Sequence, residues 1–518
     1  MFSKRKHIGR TQIRLSSLEN VPEEYNTWHE LWRKHLAIGN VSEFTPRKLN
    51  SENIGALKVR LLYSRVLVSS TDSQSSIHSE DSDVRVSRKI EDSETRLFDS
   101  CESEDIPQEE NSEEVDLGDS SILFRMYTKF AGKDSLPTMN NIRKLLLAFG
   151  QGMDISTSAL AAALIALEIF YRRIAKKHTC DFSVPREMID KGRHLYKFSM
   201  ATYGWKGLNY AGKGNGLLRD SFRKRSDFKS VQEYLNVPEC DIFKFEQNSS
   251  IHKCSFYIAV DWHTESIVLS IRGTVSMSET LIDLDCEYCR WKNGFVHSGI
   301  LKTAKWLSKY VNSELSEACD KFGFSKVSIV GHSLGAGVAA ISTVLLNERN
   351  PEINFNCYAY APPPVMSYDL AIQYKDTIFS FVYGTDVVCS LSYGAMLDLK
   401  ELILCACDYG NPSDLLLEPS TKKRMEQMEA LEICLHKIIE KSHNTKLYLP
   451  GAVYHMYRLP LPNAPKNTVI EVSDPKLFEQ VEIRQGMFKN HLPKSYDSAL
   501  NYVFEASMIK AQNSAEIE

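Results

Sequence analysis

The chain has no run of about 20 strongly apolar residues, the length a helix needs to cross a bilayer. Its nearest approach, Ile155 to Tyr171 (ISTSALAAALIALEIFY), spans 17 residues, is rich in Ala and Ser and carries Glu168, so a buried or membrane-surface helix is expected there instead. Arg172, Arg173, Lys176 and Lys177 follow at once, the pattern of a helix lying in a membrane interface. No apolar stretch follows the basic N-terminus MFSKRKHIGRTQIRLSS, so no secretory signal is expected and the protein is expected in the cytoplasm. The 12 cysteines lack a framework spacing and are expected as reduced thiols. Cys286 and Cys289 form a C-x-x-C without a second pair, and a structural zinc site needs four ligands, so no metal is expected. Gly207, Gly212, Gly214 and Gly216 lack the spacing and strand context of a dinucleotide loop or P-loop and read as turn.

Apolar and aromatic residues are scarce from Thr71 to Ser120, where 17 acidic residues face 4 basic ones. Such a segment cannot bury enough apolar surface to offset chain entropy and is expected to be disordered. It carries −13 of a formal net charge of −4, which leaves the rest of the chain at +9. A mildly basic body suits an anionic membrane surface; nucleic acid is not an expected partner.

The remaining residues alternate between two periodicities. Residues 1–70 hold a Trp-bearing amphipathic stretch (Trp28, Leu31, Trp32, Leu36) and one strand-like run, GALKVRLLYSRVLVSS, with no assignable role. Residues 121–235 read as helical, including MIDKGRHLYKFSMATYGW. From Cys254, CSFYIAVDWHTESIVLSIRGT reads as two strands joined by a polar turn. Strand and helix then alternate through GFVHSGILKTAKWLSKYVNSEL, KVSIVGHSLGAGVAAISTVLLNE, NFNCYAYAPPPV and TIFSFVYGTDVV, the pattern of an α/β sheet with crossover helices over residues 236–510.

Within that block, a β-branched strand runs through Gly331-His332-Ser333-Leu334-Gly335 into an Ala-rich helix. This is the pattern of a nucleophile elbow: a sharp turn lifts the serine hydroxyl clear of the sheet, and glycines two residues either side let strand and helix approach. The helix aims its first amides at the serine, where they can bind a developing oxyanion, so acyl transfer is the leading chemistry. A serine nucleophile needs a base, and the base an orienting carboxylate, in the chain order Ser, Asp or Glu, His. Asp386 stands at the carboxyl end of the strand TIFSFVYGTD, where either an acid of the site or a turn-capping Asp fits. Of the downstream histidines, His436 and His443 lie in or beside a charged helix, His455 lies inside the strand AVYHMYRLP, and His491 lies in the loop FKNHLPKSY before a helix. His491 and His455 both remain candidates for the base on pattern, the loop favouring His491. The oxyanion hole would take the Leu334 amide and, after the strand IVLSI, the amide and hydroxyl of Thr274.

With these residues in place the chain resembles the class 3, fungal-type lipase family and, within it, the sn-1-specific diacylglycerol lipases. The resemblance runs through YKFSMATYGW, FYIAVDWHTESIVLSIRGT, VHSGI, VSIVGHSLGAG, CYAYAPPPV, YGTDVV and FKNHLPKSYDSAL, in the family's order, across residues 190 to 505. It implies an α/β-hydrolase sheet with flanking helices, Ser333 as nucleophile, Asp386 as orienting acid, His491 as base, and Thr274 and Leu334 as the oxyanion hole. It also implies calcium, for which the chain shows no D-x-D-x-D-G loop. Two features depart from the family: its four leading transmembrane helices are not recognisable, so integral membrane residence is not expected, and Val387-Val388-Cys389-Ser390 replaces its Pro-Arg pair after the acid.

The insert from Ser390 to Pro450 carries the apolar YGAMLDLKELILCA and the Met-bearing TKKRMEQMEALEICLHKIIEKS. It reads either as a mobile cover over an acyl site or as a solvated helical excursion. The expected activity is hydrolysis of a glycerolipid ester, the sn-1 bond of diacylglycerol first, with triacylglycerol lipase, phospholipase and inactive lipid-binding scaffold as alternatives. The substrate would lie in a membrane or lipid droplet, reached by peripheral association, and the triad itself requires no cofactor.

Overall fold

The computed structural model describes residues 24–32, 53–62 and 157–515, apart from 175–177, 223–224, 248–252, 275–286, 409–420 and 460–467. The acidic segment 71–120, Lys176, Lys177 and Cys286 lie outside the described residues. Two units are distinguished. In the first, strands β1 (Glu24–Trp32) and β2 (Asn53–Leu62) pair antiparallel, Trp28 opposite Lys58.

The second unit holds an eight-stranded sheet of β3 (Ile242–Glu246), β4 (Phe256–Asp261), β5 (Ser266–Ile271), β8 (Lys326–His332), β9 (Asn354–Tyr360), β10 (Ile378–Tyr383), β11 (Ala452–Arg458) and β12 (Thr468–Ser473). A separate hairpin pairs β6 (Tyr288–Trp291) with β7 (Gly294–His297). The sheet order is β12-β11-β10-β9-β8-β5-β4-β3. The five central strands β5, β8, β9, β10 and β11 run parallel, and both edges are antiparallel. This is the α/β sheet expected from the alternation of strand and helix, in the α/β-hydrolase arrangement that the family resemblance implied.

Period-two patterning sends alternate residues of each strand to opposite cores. Phe256, Ile258, Val260, Ile267, Leu269 and Ile271 face one side, with the helices α3 (Ser298–Tyr310), α4 (Asn312–Phe322) and α5 (Leu334–Arg349). Tyr257, Ala259, Val268 and Val330 face the other, with α2 (Arg186–Ala201) and α9 (Pro493–Ala515). Each of these fully buried aliphatic side chains contributes about 1.5–3 kcal/mol by leaving water. Because α2 packs on the sheet through Leu195, Tyr196 and Phe198, the hydrolase body begins upstream of residue 236, within the stretch read as a separate helical region.

A third cluster lies over the carboxyl ends of the strands. There α1 (Thr157–Arg173) packs with the two helices of the insert, α6 (Tyr393–Asp408) and α7 (Thr421–Lys441). Leu160, Ala163, Leu164, Leu167 and Phe170 of α1 are buried among Met396, Leu399, Ile403, Leu431 and Leu435. Of the two expectations for Ile155 to Tyr171, the buried helix is therefore the one found. Its apolar side chains are occupied by α6 and α7, and Glu168 is paired with Arg172 at 2.5 Å. Among the described residues no helix is long and apolar enough to cross a membrane.

Candidate active site

Ser333 sits between β8 and α5 with φ 59° and ψ −132°, a conformation costly for a residue with a Cβ. Its surroundings over-determine it. The Ser333 amide donates to the Tyr360 carbonyl of β9 at 2.9 Å, and its own carbonyl accepts from the Ala336 amide at 2.9 Å. A Cβ on Gly331 would lie 2.4 Å from the Gly335 backbone, and one on Gly335 would lie 2.5 Å from the Ile271 carbonyl oxygen. Both glycines of the motif are thus required by the close approach of strand, turn and helix.

The three side chains expected to act together converge, although 53 residues separate the first two and 105 the last two. His491 Nε2 lies 2.9 Å from Ser333 Oγ, and His491 Nδ1 lies 3.0 Å from both oxygens of Asp386. A carboxylate only accepts, so Nδ1 carries the proton and Nε2 presents its lone pair to the serine hydroxyl. This is the tautomer a general base needs. Asp386 is held in turn by the Val388 amide at 2.9 Å and the Tyr496 hydroxyl at 2.7 Å. The Val387-Val388-Cys389-Ser390 sequence forms a single 3-10 turn, which folds the Val388 amide back onto the carboxylate. Asp386 therefore belongs to the constellation and is not a turn cap alone.

Two local expectations are corrected. His491 is the last residue of a one-turn helix, α8 (Met487–His491), not a loop residue, because Gly486 enters the left-handed region and starts a helical turn. Ser333 is 1% exposed rather than standing clear of its surroundings. Leu334, the next residue, packs against a core that Val387, Val388 and Leu391, just past the acid, and Met487 and Phe488, just before the base, share with α1, α6 and α7.

Two supporting residues, His332 and Tyr496, were not legible as such. His332, next to the serine, donates from Nε2 to the His491 carbonyl at 3.1 Å and accepts at Nδ1 from the Tyr203 hydroxyl at 2.8 Å. Burial, then the neighbouring His491, holds its pKa well below the usual histidine value, so it stays neutral and fixes the backbone of the base. Tyr496 also accepts from the Tyr383 amide at 3.1 Å, and burial followed by the Asp386 charge drives its pKa well above the usual phenol value. Its place five residues beyond His491, in KSYDSAL, was the available signal. His455 lies within β11, donates to the Gly384 carbonyl at 2.8 Å and faces Glu471, while the ring within hydrogen-bond reach of Ser333 is that of His491. His436 is half-exposed on α7, against Phe170, and His443 lies just beyond that helix.

Leu334 is the first residue of α5, so its amide is one of the helix's orphan donors beside Ser333. Thr274 follows Gly273, whose Cβ position would lie 2.4 Å from the His332 carbonyl oxygen. The chain leaving β5 thus passes directly beside the elbow. Among the described residues, the group with metal-ligand proximity is His178, His455 and Glu471. Two imidazoles and one carboxylate do not match calcium's all-oxygen shell, so no step is routed through calcium.

A sequence model of the family Lipase (class 3) matches residues 268–395, which include the elbow and Asp386. The chain is 29% identical to diacylglycerol lipase-beta of Mus musculus, over 42% of its own length and 36% of the relative's. It is 27% identical to diacylglycerol lipase-alpha of Homo sapiens, over 52% of its own length and 29% of the relative's. It therefore spans about a third of the length of the curated relatives it matches. A solved lipase propeptide complex of Rhizomucor miehei matches at 15% identity and TM-score 0.38, covering 61% of this chain and 80% of that one. Residues 268–395, which hold the elbow and the acid turn, thus match the class 3 lipase family model, and the chain is similar to relatives named diacylglycerol lipases.

Proposed function

We propose that this chain is a serine lipase that hydrolyses an acyl ester of a glycerolipid, with the sn-1 bond of diacylglycerol as its substrate bond. The observation that carries the reading is the hydrogen-bonded series Ser333, His491, Asp386, in the tautomer set by the carboxylate. In this reading Ser333 Oγ attacks the ester carbonyl while His491 Nε2 takes the hydroxyl proton, and Asp386 stabilises the imidazolium that forms. The carbonyl oxygen, now an oxyanion, receives the Leu334 amide and the Thr274 donors; each such donor is worth on the order of 3 kcal/mol in the barrier. His491 returns the proton to the departing glycerol oxygen. Water then attacks the acyl-serine by the same route in reverse, releasing the fatty acid and restoring Ser333.

The relatives named diacylglycerol lipases support diacylglycerol as substrate. The burial of Ser333 supports a cover that must move before substrate enters, so α6 and α7 would act with α1 as one cap. The cap carries exposed apolar side chains at Leu404, Met425 and Ile433, the residues expected to meet a membrane or droplet surface. Association would be peripheral, from the cytoplasmic side. Purified protein offered di-, tri- and phosphoglycerides in mixed micelles tests the substrate. Diacylglycerol should be cleaved fastest, releasing the sn-1 acyl chain; preference for triacylglycerol or phospholipid would reassign it, and no cleavage of any would leave an inactive lipid-binding scaffold.

A further inference from the structure

Edge strand β12 and its neighbour β11 carry a polar cluster that the hydrolase reading does not use. Glu471, fully buried on β12, faces His455 of β11 and His178 of the segment that precedes α2. That segment lies along β12, with the Val472 amide donating to the Asp181 carbonyl at 2.8 Å. Glu471 Oε1 lies 3.1 Å from His178 Nδ1 and 3.7 Å from His455 Nδ1, and the three donor atoms lie within 4.8 Å of one another. Tetrahedral zinc, at about 2.0–2.1 Å from each donor, sets its ligand atoms roughly 3.3 Å apart.

The outer contacts are those that orient ligands for a metal. His455 Nε2 donates to the Gly384 carbonyl at 2.8 Å, and since a carbonyl only accepts, its other nitrogen, Nδ1, points into the cluster. The second carboxylate oxygen of Glu471 accepts from the Tyr457 hydroxyl at 3.1 Å and the Cys180 amide at 3.0 Å, which leaves Oε1 to the two imidazoles and the Ser473 hydroxyl. His178 is fixed by stacking on Tyr457, ring centroids 3.7 Å apart.

We propose that His178, His455 and Glu471 form a binding site for a divalent transition metal of the zinc class, held by two Nδ1 atoms and one carboxylate oxygen. The donor set, two imidazoles and a carboxylate, is that of zinc rather than calcium or magnesium. The site would strap the edge of the sheet to the turn Gly384-Thr385-Asp386 through the Gly384 carbonyl, at a distance from Ser333 along the chain. It stands independently of whether Ser333 is the nucleophile.

The test uses the full chain, stripped with a chelator and dialysed against Zn2+ or Co2+ alone. One equivalent of zinc per chain is expected at micromolar metal, with a rise in Tm, and cobalt should give visible d–d absorption without a thiolate charge-transfer band. His178 is the most exposed ligand, with 27% of its side chain accessible, so His178→Ala should fold as wild type does while binding at least 100-fold more weakly. Less than a tenth of an equivalent on wild type, a thiolate band, or equal affinity in a folded His178→Ala would overturn the site.

Discussion

Tyr496 donates a 2.7 Å hydrogen bond to Asp386 while accepting one from the Tyr383 amide at 3.1 Å, so one phenol joins the C-terminal helix, the end of β10 and the acid turn. Tyr496→Phe removes the hydroxyl and leaves two buried polar groups short of a partner. A stability loss of about 1–3 kcal/mol is expected in urea unfolding. The variant should also lower kcat about tenfold with little change in KM, because it loosens the carboxylate that orients His491. An unchanged kcat would remove Tyr496 from the support of the acid.

His491 and His455 separate by the kind of damage their loss causes. His491→Ala should reduce ester hydrolysis by at least a thousandfold, since members of a triad act as a unit. His455→Ala should act mainly on stability, because it removes a buried ring and its hydrogen bond to the Gly384 carbonyl, a change that costs about 1–3 kcal/mol. Thermal unfolding and hydrolysis of a soluble ester, measured on both variants, check this. The opposite pattern would make His455 the base.

His297 supplies a pH dependence outside the site. It caps α3, its Nδ1 accepting from the Ile300 amide at 3.3 Å, and burial, then the Lys302 charge, lowers its pKa to about 4. A depressed folded-state pKa gives stability that is present above the unfolded value near 6.5 and is lost as pH falls toward 4. About 3 kcal/mol is at stake across that window. His297→Asn keeps a capping oxygen without the titration, so its stability curve between pH 7 and pH 4 should slope less than wild type by up to one proton. Parallel curves would show that His297 does not contribute.

Replacing Leu404, Met425 and Ile433 with Gln should weaken binding to lipid vesicles while leaving hydrolysis of a short soluble ester within about twofold. These side chains are exposed on the cap and contribute little to its core. Cosedimentation with vesicles reads the first effect. Undiminished binding would move the contact surface away from the cap.

What the sequence revealed follows the range of each interaction. The elbow was readable because its requirements are local: two glycines, a β-branched strand and an apolar helix within about 20 residues of Ser333. The sheet was readable because period-two runs such as FYIAVD place alternate side chains in two cores. Asp386 and Tyr496 meet across 110 residues, and Glu471 and His178 across 293, so no local pattern announces either pair. The helix from Thr157 is apolar on all sides, which fits burial and membrane contact equally, and only its packing against Met396 and Leu399 decides between them. His491 reads as a loop residue in the sequence because a single helical turn has no periodicity to detect.

The central claim is that Ser333 is the nucleophile, and covalent capture tests it most directly. Full-length protein treated with a fluorophosphonate should gain the mass of one phosphonyl group, mapped by peptide sequencing to Ser333, in step with loss of diacylglycerol hydrolysis. The folded Ser333→Ala variant should take no label and lose at least a hundredfold in turnover. Label on another residue, or a Ser333→Ala protein that still cleaves ester at more than a hundredth of the wild-type rate, would contradict the account.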